Sequence, residues 1–184
     1  MRKRILLIGA STGGPSQIKE ILTSIKNLNS TIVIAQHMQE DILASFIKDL
    51  GFSVSSKLMA TPCVHDFKEP AIIVCSHSSI VKKNRNAYEF VTDFDNQRYT
   101  PDIDKLFNSF TSLTNDFEIT ALVMTGIGDD GLIGCRNLKK LGATIFGQDE
   151  KSCAVYGMPR AVRIEGLVDK VMNIEQMIEY VKGL

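Results

Sequence analysis

Residues 4–22 read RILLIGASTGGPSQIKEIL, and this stretch gives the clearest indication of the fold. A short apolar run at residues 5–8 leads into a turn in which three glycines surround a single serine, Ser11, and a helical pattern follows. Pro15 suits the first turn of a helix, because its missing N–H would have no partner there. The stretch therefore predicts a buried strand, a glycine-rich turn and a helix, which is the repeating unit of α/β proteins.

The same alternation of apolar strands and amphipathic helices continues along the chain. Further strands are predicted at residues 31–35, 71–75, 118–124 and 143–146, and helices at residues 42–50, 102–113, 132–141 and the last dozen residues. Residues 79–81 and 88–91 flank the polar segment 82–86, which predicts an antiparallel hairpin. Continuous apolar strands between helices indicate a parallel sheet covered on both faces. We expect one α/β domain over residues 1–184: three layers, a doubly wound, mostly parallel sheet and a hairpin insertion.

Composition and charge exclude several classes of protein. Lys and Arg number 21 against 21 Asp and Glu in 184 residues, so the formal net charge is zero, which argues against nucleic acid or anionic membranes as partners. The apolar run after the basic residues 2–4 is shorter than the roughly 7–15 residues of a secretory signal. No run approaches the roughly 18 residues that predict a membrane span. The four cysteines lack metal-ligand spacing and are expected to be reduced, which indicates a cytoplasmic protein.

Three predicted strands end in residues that suit acyl transfer. Ser11 follows the first strand, His37 follows the second, and Asp129 and Asp130 lie in the loop after the strand at 118–124. Carboxyl ends of parallel strands meet at one edge of a sheet, where α/β proteins bind ligands. An imidazole can take the proton of a serine hydroxyl, and a carboxylate orients the imidazole. We expect one aspartate to face His37 and the other to cap the next helix.

Other interpretations of the same residues stay open at this point. Ser11 alone is more typical of a helix cap, and His37 alone is equally typical of a structural histidine. The glycine-rich turn also suggests nucleotide binding, although its spacing is not GxGxxG and no Gly-Lys-Ser/Thr triplet follows. The other two histidines, His65 and His77, lie in polar stretches and are predicted to be on the surface.

Five ordered segments resemble the methylesterase domain of the chemotaxis protein-glutamate methylesterase family, CheB. The segments are GASTGGP (9–15), IAQHM (34–38), DIDKLFNS (102–109), TGIGDDG (125–131) and QDEKSCAVYGMP (148–159). The resemblance covers nearly the whole chain. It implies an enzyme that removes methyl groups from glutamate side chains on the cytoplasmic helices of chemoreceptors, releases methanol and also deamidates receptor glutamines.

The resemblance also implies roles for individual residues. Ser11 corresponds to the nucleophile, His37 to the general base and acid, and Asp130 to the orienting carboxylate. Asp130 is preferred to Asp129 because the family aspartate directly precedes the last glycine of its loop. No metal and no cofactor is implied.

Thr12, Gly13 and Ile127 are expected to line the substrate and oxyanion site. Thr12 and residue 127 match positions that line the site in the family, and glycine lets a substrate approach backbone N–H donors closely. Ile127 stands where methionine is common. Residues 75–79 replace a Pro-Gly-Gly-x-His stretch of the family, which affects the rim of the cleft.

Two further expectations concern the whole protein. The family's N-terminal phosphoreceiver domain is expected to be absent. The alternative function is a non-catalytic receptor- or signalling-binding module that retains the three residues.

Overall fold

The computed structural model describes residues 2–85, 87–95 and 98–184, which form a seven-stranded parallel sheet and a three-stranded antiparallel sheet. The strands are β1 (Lys3–Ala10), β2 (Thr31–Gln36), β3 (Leu58–Ala60), β4 (Cys63–His65), β5 (Ile72–Val74), β6 (Ser79–Asn84), β7 (Ala87–Thr92), β8 (Phe117–Val123), β9 (Thr144–Gln148) and β10 (Lys170–Met172). The α-helices are α1 (Gly14–Thr23), α2 (Glu40–Ser53), α3 (Ile103–Ser109), α4 (Leu132–Lys140), α5 (Met158–Ile164) and α6 (Ile174–Lys182).

The order of the strands places the two halves of the chain on either side of β1. The large sheet runs β10-β9-β8-β1-β2-β5-β3. From β1 the chain moves to β2 and then to the edge strand β3, returns to β5 between them, and crosses to the other side of β1 with β8. The strand order therefore reverses at β1 and β8, and α/β proteins bind ligands beyond the carboxyl ends of the strands at such a point.

Each face of the parallel sheet is covered by its own apolar core. Side chains alternate along β1, so that Leu6 and Ile8 pack with α1, α2 and α6, whereas Ile5 and Leu7 pack with α3, α4, α5 and the antiparallel sheet. Both sides of β1 are thus buried, which explains its continuous apolar sequence. The predicted three-layer, doubly wound α/β fold is confirmed.

The antiparallel insertion is larger than the predicted hairpin. Strands β6 and β7 form the hairpin, with Asn84 opposite Ala87, and β4 pairs with β7 as a third strand. Asn86, in the predicted turn, lies outside the described residues. The prediction of His65 as a surface residue is wrong, because His65 lies on β4 with 5% of its surface exposed. Its Nδ1 accepts a hydrogen bond from the Phe67 N–H, and burial lowers its pKa.

Two predicted helices have different ends in the structure. Helix α2 continues through Gly51 to Ser53, because Gly51 keeps a helical backbone and a glycine inside a helix costs only about 1 kcal/mol. The predicted helix at 102–113 is α3 followed by a 3-10 turn, Phe110–Leu113. Within the described residues, no helix is both long and apolar enough to cross a membrane.

Candidate active site

Ser11 lies directly after β1, in the turn that leads into α1. Its N–H donates to the carbonyl of Thr125, two residues after the end of β8, and its own carbonyl accepts from the N–H of Gly14, both at 2.9 Å. Gly13 caps α1 with a φ of +84°, a left-handed conformation that suits glycine. The turn therefore holds the Ser11 backbone against β8 and next to the N-terminus of a helix, where backbone N–H groups lack helical partners.

His37 follows β2, the strand beside β1. Ala10 is paired with Gln36 at the end of the parallel ladder, and the N–H of His37 donates to the Ala10 carbonyl at 2.9 Å. Ser11 and His37 are therefore the residues that directly follow this last pair. Their two strands are neighbours, and neighbouring strands lie roughly 4.8 Å apart. The side chain of His37 is 11% exposed, so most of the ring is covered by neighbouring residues.

Asp130 is the buried partner of the His37 ring. Its Oδ2 lies 2.6 Å from Nε2 of His37, and its side chain is only 2% exposed. The carboxylate also accepts hydrogen bonds from the backbone N–H groups of Ile103, Asp104 and Gly131, each at 2.9 Å. Four donors fix both oxygens, so the carboxylate can hold the imidazole in one orientation.

The bond to Asp130 decides which nitrogen of His37 is left for proton transfer. With the Nε2 proton directed at Asp130, Nδ1 carries the lone pair that could accept a proton. In the described part of the chain, no hydrogen bond joins the His37 ring to the Ser11 hydroxyl. Such bonds are often long before substrate binds, so the arrangement is compatible with a nucleophile and its base.

Asp129 does not cap α4, contrary to the prediction. Its Oδ1 lies 3.0 Å from Nη1 of Arg98, and both side chains are well exposed. The N-terminus of α4 is instead capped from a neighbouring helix, because Oδ1 of Asp104 accepts the N–H of Gly134 at 2.7 Å. The two adjacent aspartates therefore point to different partners, one exposed and one buried.

The predicted lining residues lie around the serine turn and the aspartate loop. Thr12 is exposed, Gly13 is half-buried and Ile127 is 63% exposed. Among the described residues, the backbone N–H groups of Thr12 and Gly13 have no backbone acceptor. Ser78, in the segment 75–79, accepts a hydrogen bond from the Asp102 N–H at 2.9 Å and so supports the start of α3.

The comparisons with known proteins identify the family. A family model described as CheB methylesterase matches residues 6–181. The chain belongs to the CheB methylesterase family. The predicted resemblance is therefore confirmed over nearly the whole chain.

Two curated relatives and one solved structure illustrate how far the CheB similarity extends. The protein-glutamate methylesterase/protein-glutamine glutaminase 1 of Saccharophagus degradans is 35% identical over 95% of this chain and 48% of the relative. A Bacillus subtilis protein named protein-glutamate methylesterase/protein-glutamine glutaminase is 29% identical over 95% of this chain and 50% of the relative. The CheB methylesterase catalytic domain of Thermotoga maritima has a TM-score of 0.84 at 26% identity and covers 98% of this chain and 100% of that chain. This chain spans about half the length of the curated relatives it matches.

Several carboxyl and thiol groups near the candidate site have shifted pKa values. Burial, together with the nearby carboxylates of Asp130 and Asp102, raises the pKa of Asp104 to about 6. Burial raises the pKa of the Cys153 thiol to about 12, so this thiol is protonated at neutral pH and is a weak nucleophile. No group of three His, Cys, Asp or Glu side chains within residues 2–85, 87–95 and 98–184 is arranged to hold a metal ion.

Two residues in this candidate site were missed by sequence reasoning. Gln36 donates hydrogen bonds to the carbonyls of both Ser11 and His37, and Tyr99 stacks on the His37 ring. Gln36 could have been found from its position, because it is a polar residue at the end of an otherwise apolar strand. No sequence signal pointed to Tyr99, which is 62 residues from His37 in an irregular segment.

Proposed function

We propose that this chain is a serine hydrolase that demethylates methyl-glutamate side chains of chemoreceptors and releases methanol. Membership of the CheB methylesterase family supports the reaction class. The names of the relatives support a glutamyl methyl ester as substrate and deamidation of glutamine as a second activity. The observation that carries the proposal is the 2.6 Å contact between His37 and Asp130, with Ser11 following the strand next to that of His37.

The first half of the reaction forms an ester on Ser11. The Ser11 oxygen attacks the γ-carbonyl carbon of the methyl ester while its proton passes to Nδ1 of His37. The negative charge that develops on the carbonyl oxygen is stabilised by the N–H groups of Thr12 and Gly13. The imidazolium then gives its proton to the departing methoxide, which leaves as methanol, and Asp130 stabilises the imidazolium throughout.

The second half of the reaction regenerates the serine. Water attacks the carbonyl carbon of the Ser11 ester, and His37 takes a proton from this water. His37 returns that proton to the Ser11 oxygen as the glutamic acid side chain leaves, and the acid then loses its remaining proton to solvent. Deamidation of a glutamine follows the same route with ammonia in place of methanol. No step needs a metal or a cofactor.

The surroundings of Ser11 support a substrate that projects from the surface of another protein. Thr12 and Ile127 are exposed, so the edge of the sheet is open to a side chain presented by a helix. A methyl-glutamate on a cytoplasmic chemoreceptor helix has this form. The proposal therefore includes chemoreceptor helices as the partner and the cytoplasm as the compartment.

Methanol release from methylated receptor tests the proposal. The wild-type chain should release methanol, and Ser11→Ala should lower the rate by on the order of 10⁴-fold or more. Ser16→Ala is the matched control, because Ser16 lies in the first turn of α1 with an exposed hydroxyl. Circular dichroism should show the same fold in all three proteins. A wild-type chain that binds receptor without releasing methanol would contradict the proposal and favour the non-catalytic binding module.

A further inference from the structure

Gln36 joins the backbones of the proposed nucleophile and base through one side chain. It is the last residue of β2, and 1% of its surface is exposed. Its Nε2 donates to the carbonyl oxygens of Ser11 and His37, both at 2.9 Å. The two protons of one amide are therefore used on the two residues that would exchange a proton in the proposed reaction.

Chemistry allows the Gln36 amide only this orientation. The opposite orientation would place Oε1 against two carbonyl oxygens, which repel it. In the present orientation Oε1 is buried against Gly14, where it finds no hydrogen-bond donor among the described residues. An unpaired buried acceptor is unfavourable. The Gln36 side chain therefore makes two hydrogen bonds through its N–H groups, while its oxygen stays unpaired.

The main chain alone does not hold the Ser11 turn to His37. The β1–β2 ladder ends with the pair Ala10 and Gln36 and with the bond from the His37 N–H to the Ala10 carbonyl. Beyond that bond, the chain turns into α1 on one side and toward α2 on the other. The Gln36 amide extends the connection by one more residue on each strand, because it binds the carbonyl oxygens of Ser11 and His37.

We infer that Gln36 is a positioning residue that sets the distance between the Ser11 hydroxyl and the His37 ring. The inference rests on the proposed function, because it assumes proton transfer between these two side chains. Displacing a reacting group by about 1 Å can lower a rate by about 100-fold. Loss of the amide should therefore act on kcat, while substrate binding at the exposed rim should be nearly unchanged.

Gln36→Met is the first test, because methionine has a similar length and cannot donate a hydrogen bond. We expect kcat for methanol release to fall by about 10–100-fold with KM changed by less than about twofold. The rate at which a fluorophosphonate probe labels Ser11 should fall by a similar factor, since labelling depends on the same proton transfer. Gln36→Asn is the second variant if the first does not fold, because its amide is one methylene too short to reach both carbonyls.

Thr61→Val provides the matched control. Thr61 is 3% exposed and bonds to the Ser79 hydroxyl and the Ser76 N–H, and it follows β3 at the outer edge of the sheet. The Thr61→Val variant should have a lower melting temperature than wild type and the wild-type kcat. A folded Gln36 variant with wild-type kcat and wild-type labelling, whatever its melting temperature, would overturn the inference. A wild-type chain that is labelled on Ser11 and releases no methanol would contradict the proposed substrate, and the labelling rates would still decide the role of Gln36.

Discussion

The ring of Tyr99 lies flat against the imidazole of His37, with 4.8 Å between the ring centroids and 15° between the planes. The guanidinium carbon of Arg98 is 5.2 Å from the centroid of the same Tyr99 ring, and Arg98 pairs with Asp129. The segment before α3 therefore packs against the aspartate loop and the imidazole at once. Two contacts fix the imidazole: Asp130 holds its edge and Tyr99 covers one face.

Tyr99→Leu should lower kcat by about 10-fold, which corresponds to roughly 1.4 kcal/mol and to the upper end of what an aromatic stack contributes. Leucine fills part of the space but does not hold the plane of the imidazole. Tyr99→Phe keeps the ring and serves as the control, with an expected rate within about threefold of wild type. Steady-state methanol release measures both. Equal rates for the leucine and phenylalanine variants would show that the stack does not position His37.

Asp130→Asn should lower kcat by about 10⁴-fold, the loss seen when the orienting carboxylate of a serine protease is replaced by an amide. An amide offers one acceptor oxygen where the carboxylate serves four donors, so the wrong tautomer of His37 is favoured. The adjacent variant Asp129→Asn is the control and should change the rate by less than about threefold, because its ion pair is exposed. A larger loss from Asp129→Asn than from Asp130→Asn would reverse the assignment of the two residues.

Gly126→Ala should displace the proposed nucleophile. A Cβ at this position would lie 2.6 Å from Cβ of Ser11 and 2.3 Å from Sδ of Met158. Met158 is flexible enough to move, but the Ser11 backbone is bonded to Thr125 and Gly14, so a shift there should lower kcat by about 100-fold.

Gly51→Ala is the matched control for Gly126→Ala, because its Cβ meets no atom within 4 Å. It should keep the wild-type rate and gain slightly in stability, since alanine is favoured over glycine within a helix. Melting temperatures and methanol release of the two variants should be measured together. Normal activity in Gly126→Ala would mean that Ser11 tolerates the displacement.

The positions of Ser11 and His37 could be predicted from the sequence because a general rule decides them. Parallel strands that alternate with helices have their carboxyl ends at one edge, so residues directly after two such strands are expected at the same edge. No comparable rule decides which of Asp129 and Asp130 faces His37. Adjacent residues in a loop point in different directions, and only the resemblance to the family favoured Asp130 in advance.

The contacts that sequence reasoning missed depend on long-range packing. Tyr99 reaches His37 only because the antiparallel insertion returns the chain to the carboxyl edge of the sheet before α3. The strands β3, β4 and β10 have three residues each, which is too short for a periodic pattern. Asp104 caps α4 from α3, and no local signal near residue 131 indicates a cap supplied by another helix.

Asp104 should make the protein less stable as the pH rises through the weakly acidic range. Burial, with the carboxylates of Asp130 and Asp102 nearby, raises its pKa from 3.8 to about 6 in the folded chain. The folded state therefore binds this proton more tightly than the unfolded state does. The resulting stabilisation is complete below pH 4 and is lost as the pH rises through about 6.

Asp104→Asn should remove this pH dependence, because asparagine stays neutral and its oxygen can still accept the N–H of Gly134. The variant should gain in free energy of unfolding relative to wild type between pH 4 and about 6, and the difference should stay constant at higher pH. Urea unfolding of both proteins from pH 4 to 8 measures it. Asp93→Asn is a control, since the Asp95 N–H and the Lys105 ammonium lower the pKa of Asp93, so its difference from wild type should change only below about pH 5 and stay constant above it. A constant difference between wild type and Asp104→Asn over the whole range would show that Asp104 is ionised as readily in the folded chain as in the unfolded one.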